Sequence, residues 1–101
     1  MFIVLLHYDA PLEQIDYVLP DHRAWLEKQY EAGYFIVSGR QKPRTGGVIL
    51  TRPMPRGKLD ALMATDPWIQ QKLVKCQVIE FEATRTAAEV AVLNEAVLTA
   101  S

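Results

Sequence analysis

Apolar and polar positions along this chain change period several times, and the changes mark its elements. Phe2-Ile3-Val4-Leu5-Leu6 is a continuous apolar run that ends in His7-Tyr8 and the turn signal Asp9-Ala10-Pro11. A run of that length, bounded in that way, predicts a central strand buried on both faces. Leu12 to Leu19 is less regular, although Asp16 offers a cap for a first turn. Pro20 lacks an N–H and bends any helix that runs through it, so the main helix is expected from about Pro20 to Ala32, with Gly33 as its stop. Leu19, His22, Leu26, Tyr30 and Gly33 then fall three or four apart on one face. That face packs on the sheet and turns His22 inward at the helix start, while Arg23, Glu27, Lys28 and Glu31 face water.

Tyr34 to Ser38 reads as a second strand, stopped by Gly39, and Gly47 to Thr51 as a third after the polar loop 40–46. A second helix is expected from Pro55 or Gly57 to Ala64, with Leu59, Leu62 and Met63 inward. Asp66 caps a short helix whose first position is Pro67, where the missing N–H costs nothing. Val74 to Glu82 alternates as a fourth strand, with Gln77, Ile79 and Phe81 on one face and Cys76, Val78, Glu80 and Glu82 on the other. The order β-α-β-β-α-β predicts an α+β, ferredoxin-like fold with helices on one face of an antiparallel sheet. The other sheet face is left open. At 101 residues such a domain buries only roughly 65% of its unfolded surface, so a second copy packed sheet to sheet is the expected cover.

The pattern changes again near residue 85. Thr86 and Glu89 stand in capping-box relation, and Ala87 to Ala100 is apolar nearly all round, its run Val90, Val92, Leu93, Ala96, Val97 and Leu98 interrupted only by Asn94 and Glu95 and preceded by Glu89. A helix without a wide polar face is a buried one. The chain therefore divides into a domain over 1–84 and a C-terminal helical extension over 85–101. Because the core is complete without it, the extension is expected at a homo-oligomer contact, with docking onto its own subunit as the alternative.

Composition narrows the function classes. Half the residues are apolar and the formal net charge is −1, without the basic footprint of a nucleic-acid partner. A lone cysteine, Cys76, excludes an intrachain disulfide and a cysteine-rich zinc site, and its apolar surroundings predict a small buried hydrophobe. The N-terminal run has no basic flank and reads as strand, not signal peptide. No stretch approaches the roughly 18 apolar residues of a membrane span. A cytoplasmic protein is expected.

Chemistry centres on His22 and Asp66. An imidazole, with a reference pKa of about 6.5, accepts and donates protons near neutrality. An aspartate before proline is by itself a common N-cap, and a histidine at a helix start is by itself a polar core residue. Both structural readings stay open beside the chemical one, since one carboxylate oxygen can cap while the other orients an imidazole. Ser38 is a nucleophile only if it approaches His22, and its flanks Val37 and Gly39 lack the hydrolase elbow. His7 and His22 have no metal-ligand spacing, and neither dinucleotide-binding nor P-loop patterns occur, so no metal or cofactor is expected.

Met1 to Leu6, Leu19-Pro20-Asp21-His22-Arg23, Gly33 to Gly39, Pro43 to Leu50, Asp66-Pro67-Trp68 and Val78-Ile79-Glu80-Phe81 together resemble the YCII-related (YciI-like) proteins over the first eighty-odd residues. The resemblance implies a dimeric α+β barrel. It also implies a pocket that holds a histidine from the first helix and the aspartate of an Asp-Pro-aromatic motif, here His22 and Asp66. A His/Asp-dependent, dehydrochlorinase-like lyase role is attached to the family. On that footing His22 is the expected general acid/base and Asp66 its holder. Trp68, Tyr8, Tyr34 and Phe35 are expected to form the apolar wall, and Ser38, Arg40 and His7 to contact substrate. The reaction expected is an elimination or isomerisation of a small molecule without metal or cofactor; the alternative is a non-catalytic binding or accessory dimer. Two positions depart from the family pattern. Arg40 follows Gly39 where Gly-Pro is usual, placing a cation at the expected pocket mouth that favours an acidic substrate, and Lys72 stands where a glycine is expected.

Overall fold

A computed structural model describes residues 1–96. The chain runs β1 (Phe2–Tyr8), α1 (Leu12–Glu31), β2 (Phe35–Arg40), β3 (Gly46–Thr51), α2 (Arg56–Met63), α3 (Pro67–Gln70) and β4 (Val74–Glu80). The four strands form one sheet in the order β2-β3-β1-β4, and every neighbouring pair is antiparallel. This is the ferredoxin-like α+β arrangement, with β1 and β2 held apart by β3. The register sorts the side chains. Phe2, Val4, Leu6 and Tyr8 of β1 share a face with Thr51, Ile49 and Gly47 of β3 and with Val78 and Cys76 of β4. The helices cover that face, and Phe2, Val4, Leu6, Ile49 and Thr51 are buried there.

The main helix differs most from expectation. It begins at Leu12, eight residues before Pro20, and carries the proline in its interior. Its buried stripe is Ile15, Val18, His22, Trp25 and Gln29, spaced three and four apart on both sides of the proline. A proline inside a helix costs about 3 kcal/mol, but each buried large apolar side chain returns about 1.5–3 kcal/mol. Ile15 and Val18 ahead of Pro20 and Trp25 behind it therefore hold both halves on the sheet. Pro20 and Asp16 are exposed, so water reaches the Asp16 carbonyl that has lost its donor. His22 consequently lies mid-helix, not in a first turn. Gly33 ends the helix with φ +80, and the N–H groups of Gly33 and Tyr34 close back on the carbonyls of Tyr30 and Gln29 at 3.0 Å each. That left-handed stop is the conformation glycine adopts without strain.

The strands and loops differ from expectation at a few positions. β2 continues through Gly39 to Arg40, because both pair with β3 opposite Val48 and Gly47. β4 stops at Glu80. Cys76 is exposed rather than buried: it lies on the helix side, but β4 is an edge strand that the helices do not fully cover. Gly46 is fixed by close approach, since a Cβ there would sit 1.9 Å from the Leu6 carbonyl oxygen.

The expected C-terminal helix is a short 3-10 segment, Ala88–Leu93, broken at Val90. Its N-cap is Ala87, with no side-chain cap bond, so the Thr86/Glu89 capping box does not form. Val92 is 77% exposed. An all-round apolar segment gains helical stability by burying its surface, and no side chain of Ala88–Leu93 is buried among the described residues. Glu95 instead ties the segment back: its N–H donates to the Ala83 carbonyl at 2.8 Å, and its Oε2 accepts from the Ala83 N–H at 2.9 Å. The last part of the expected helix, 97–100, lies outside the described residues.

Candidate active site

Asp66 sits where α2 ends and α3 begins. It is fully buried, and its backbone is extended as an N-cap requires. Its Oδ1 accepts two hydrogen bonds, from the Trp68 N–H at 3.1 Å and with His22 Nδ1 at 2.7 Å. One oxygen thus both caps α3 and holds the imidazole, and Oδ2 has no hydrogen-bond partner among the described residues. The cap explains why proline follows the acid, and Oδ1, with two lone pairs, serves both donors.

Trp68 completes the setting. Its ring stacks on His22 with centroids 3.7 Å apart and planes 13° from parallel, and its Nε1 donates to the Ile15 carbonyl at 3.2 Å. Tyr8 meets Trp68 edge-on at 5.6 Å. Trp25 holds the same junction from the other side, donating from Nε1 to Thr65 Oγ1 at 2.8 Å. The imidazole is therefore fixed by a bond at one edge and a stacked ring on one face. With Nδ1 committed to Asp66, Nε2 is the ring nitrogen left for a bound molecule.

His22 and Trp68 line a cavity of about 180 Å³ between α1 and the sheet. Its apolar wall includes Leu6, Leu19, Leu26 and Ile49, and its polar lining includes Arg23, Ser38 and Arg40. The structure thus brings together His22, Trp68, Tyr8, Ser38 and Arg40, with Asp66 directly behind the imidazole. Ser38 is within 2.5 Å of the Tyr30 hydroxyl rather than bonded to His22, so no base activates it as a nucleophile. His7 does not line the cavity: it is exposed, and the alternation of β1 turns it to the opposite face from Leu6 and Tyr8. Tyr34 and Phe35 do not line it either. Phe35 is core, edge-on to Trp25 at 5.5 Å, and Tyr34 lies under the Lys58 ammonium at 4.4 Å. Arg23 is the lining residue that the sequence pattern assigned to water. It follows His22 on α1, and it is exposed as well as lining the cavity. Among the described residues, no group of three or more His, Cys, Asp or Glu side chains is placed to hold a metal ion.

A family model for the YCII-related domain matches residues 1–82. The chain belongs to the YCII-related family. Among solved structures, this YCII-related chain is similar to 5-chloro-2-hydroxyhydroquinone dehydrochlorinase from Burkholderia phenoliruptrix, determined in complex with 2,5-dihydroxybenzoquinone. The TM-score is 0.67 at 18% identity, over 81% of this chain and 94% of that one. At that identity the likeness supports the fold alone. No curated protein matches the chain. Of the two departures from the family pattern, Arg40 lines the cavity, and Lys72 takes the glycine-like backbone, with φ 59.

Proposed function

We propose that this YCII-related protein is a small-molecule enzyme in which His22 performs general acid–base chemistry and Asp66 holds it for that task. The observation that carries this reading is the 2.7 Å contact between Nδ1 and a fully buried carboxylate, made on an imidazole that lines a cavity. The carboxylate fixes Nδ1 as the protonated nitrogen and stabilises the positive charge that develops when Nε2 takes a proton. In an elimination, Nε2 accepts a proton from the substrate, the freed electron pair becomes the new π bond, and the leaving group departs as an anion. In an isomerisation the same nitrogen returns the proton to a second atom. Neither needs a group beyond the base and a shaped apolar wall. The protein works on this reading as a homodimer, because the sheet face opposite the helices leaves Ile3, Leu5, Val48 and Leu50 half-buried and Val37 and Ile79 exposed among the described residues. A cytoplasmic setting belongs to the same proposal, and no helix among the described residues is long and apolar enough to cross a membrane.

The second reading is a non-catalytic binding or accessory module. It is favoured by the Trp68 N–H bond to Asp66, which gives the carboxylate a structural task of its own. The two are separated by turnover of 5-chloro-2-hydroxyhydroquinone, read as chloride release, together with deuterium uptake from D₂O by hydroxylated quinones. His22→Ala is a poor variant for this test. It leaves a buried carboxylate unpaired, at a cost of about 3–5 kcal/mol, out of a total of about 5–15 kcal/mol for a domain. His22→Asn keeps an N–H near the Nδ1 position and removes Nε2. The expected result is a folded protein, its urea midpoint lowered only by the lost ring packing, with activity lower by about 10²–10⁴. Wild-type turnover retained in His22→Asn overturns the catalytic role.

A further inference from the structure

The charges around the cavity are one-sided. Besides His22, its charged lining consists of Arg23 and Arg40, and no carboxylate lines it, Asp66 being sealed behind the imidazole. The chain as a whole carries a formal net charge of −1, so the excess of cation is local. Two other arginines are paired, Arg44 with Asp16 and Arg56 with Asp60. Neither Arg23 nor Arg40 makes an ion pair among the described residues. Asp16 lies within electrostatic reach of both, and its carboxylate is hydrogen-bonded to the Arg44 guanidinium.

Size adds a second limit. A cavity of about 150 Å³ takes benzene, whereas drug-sized ligands occupy about 300–1,000 Å³. At about 180 Å³, with leucines, Ile49 and the Trp68 ring as walls, the space suits one six-membered ring. A ring lying in it leaves any charged substituent at the rim, where the two guanidinium groups stand.

We infer that this cavity takes a small single-ring organic anion, its ring against His22 and Trp68 and its negative group on Arg23 and Arg40. The inference deepens the acid–base reading and rests on that reading's assignment of the cavity as the active site. It also gives the two arginines distinct work from His22: they bind and orient, and they exchange no proton. A guanidinium pairs with a carboxylate through charge-assisted, forked hydrogen bonds, and an ionised ring hydroxyl meets the same donors. Both pairs sit at an exposed rim, so their combined preference for an anion over its neutral isostere is about tenfold.

The test uses benzoate against benzamide, with the shift of the Trp68 indole N–H followed by NMR. Benzoate is expected to move that signal and to bind about tenfold more tightly than benzamide at low salt. The gap should narrow as the screening length falls to about 10 Å at 0.1 M salt, and close in Arg23→Gln/Arg40→Gln. Both residues are exposed, so this variant keeps the fold. Equal binding of the two compounds, or a preference for benzoate that survives in the double variant, overturns the anion inference and leaves the His22 chemistry standing. If neither compound moves Trp68, the cavity assignment falls and takes this inference with it. The converse is also readable: a benzoate preference alongside unimpaired turnover in His22→Asn removes the acid–base reading alone.

Discussion

Lys72 is the residue where a local rule is broken most visibly. It follows α3 with φ 59, and the surrounding bonds are those of a left-handed helix stop: Lys72 N–H to the Ile69 carbonyl at 3.0 Å and Leu73 N–H to the Trp68 carbonyl at 2.9 Å. A residue with a Cβ pays roughly 1–2 kcal/mol to stand there, and Lys72→Gly is expected to raise stability by about 1 kcal/mol, net of glycine's extra chain entropy. Urea unfolding measures it, and a lower midpoint in the variant would show that the Lys72 side chain contributes more than its backbone costs. This stop fixes the end of the helix that carries Trp68, so the strain sits about one turn from the ring that stacks on the imidazole. Lysine in place of the expected glycine put this backbone course in question, and the chain keeps the glycine-like conformation there. The pairing of His22 with Asp66 was legible in the sequence, from an inward histidine, an Asp-Pro-Trp boundary and a family resemblance. The sharing of Oδ1 was not legible, because residue identity does not say which carboxylate oxygen meets which donor. Arg23 was missed because helical periodicity divides residues into inward and outward, and a cavity at the helix flank lies between the two.

At the scale of elements, α1 shows why a breaker residue misleads. Pro20 marks a boundary only when packing on its two sides is unequal, and here Ile15, Val18, Trp25 and Gln29 continue one stripe through it. The information lay in the spacing of Ile15 and Val18 from His22, which the proline outweighed. The same helix anchors the loop before β3 through Asp16 and Arg44, whose guanidinium also lies over the Tyr8 ring at 5.7 Å. The Arg44 hydrogen bond holds the Asp16 carboxyl below its ordinary value of 3.8. A group whose folded value is depressed adds stability that is fully present above the unfolded value and is lost as the pH falls through the folded one. Asp16→Asn is therefore expected to lower the urea midpoint slightly at neutral pH. The difference should vanish in acid, below the usual carboxylate range. A difference that stays constant across the titration would assign the effect to packing rather than charge. The C-terminal segment is the opposite case from α1: its apolar pattern predicted a buried helix, and among the described residues it is a kinked 3-10 piece with no buried side chain.

For the whole molecule, the open question is what covers the second face of the sheet. β1 and β3 present Ile3, Leu5, Val48 and Leu50 there, half-buried, and the outer strands leave Val37 54% and Ile79 42% exposed, with Phe81 beyond β4 at 37%. Strand alternation made this face readable in advance, since a helix-covered sheet of this order has one side to spare. At roughly 65% burial, a domain this small gains more from a second copy than from any rearrangement of its own chain. Light scattering is then expected to give twice the 11.4 kDa chain mass, and Ile79→Lys, which sets a charge opposite Ile3, should return the monomer with its circular dichroism unchanged. A wild-type mass of one chain would refute the sheet-to-sheet dimer. Removing residues 85–101 divides the remaining possibilities. If the truncated protein stays dimeric while Ile79→Lys does not, the sheet face carries the assembly and the extension serves its own subunit through Glu95. If truncation alone gives monomers, the interface lies in the extension, and the open sheet face is not the contact.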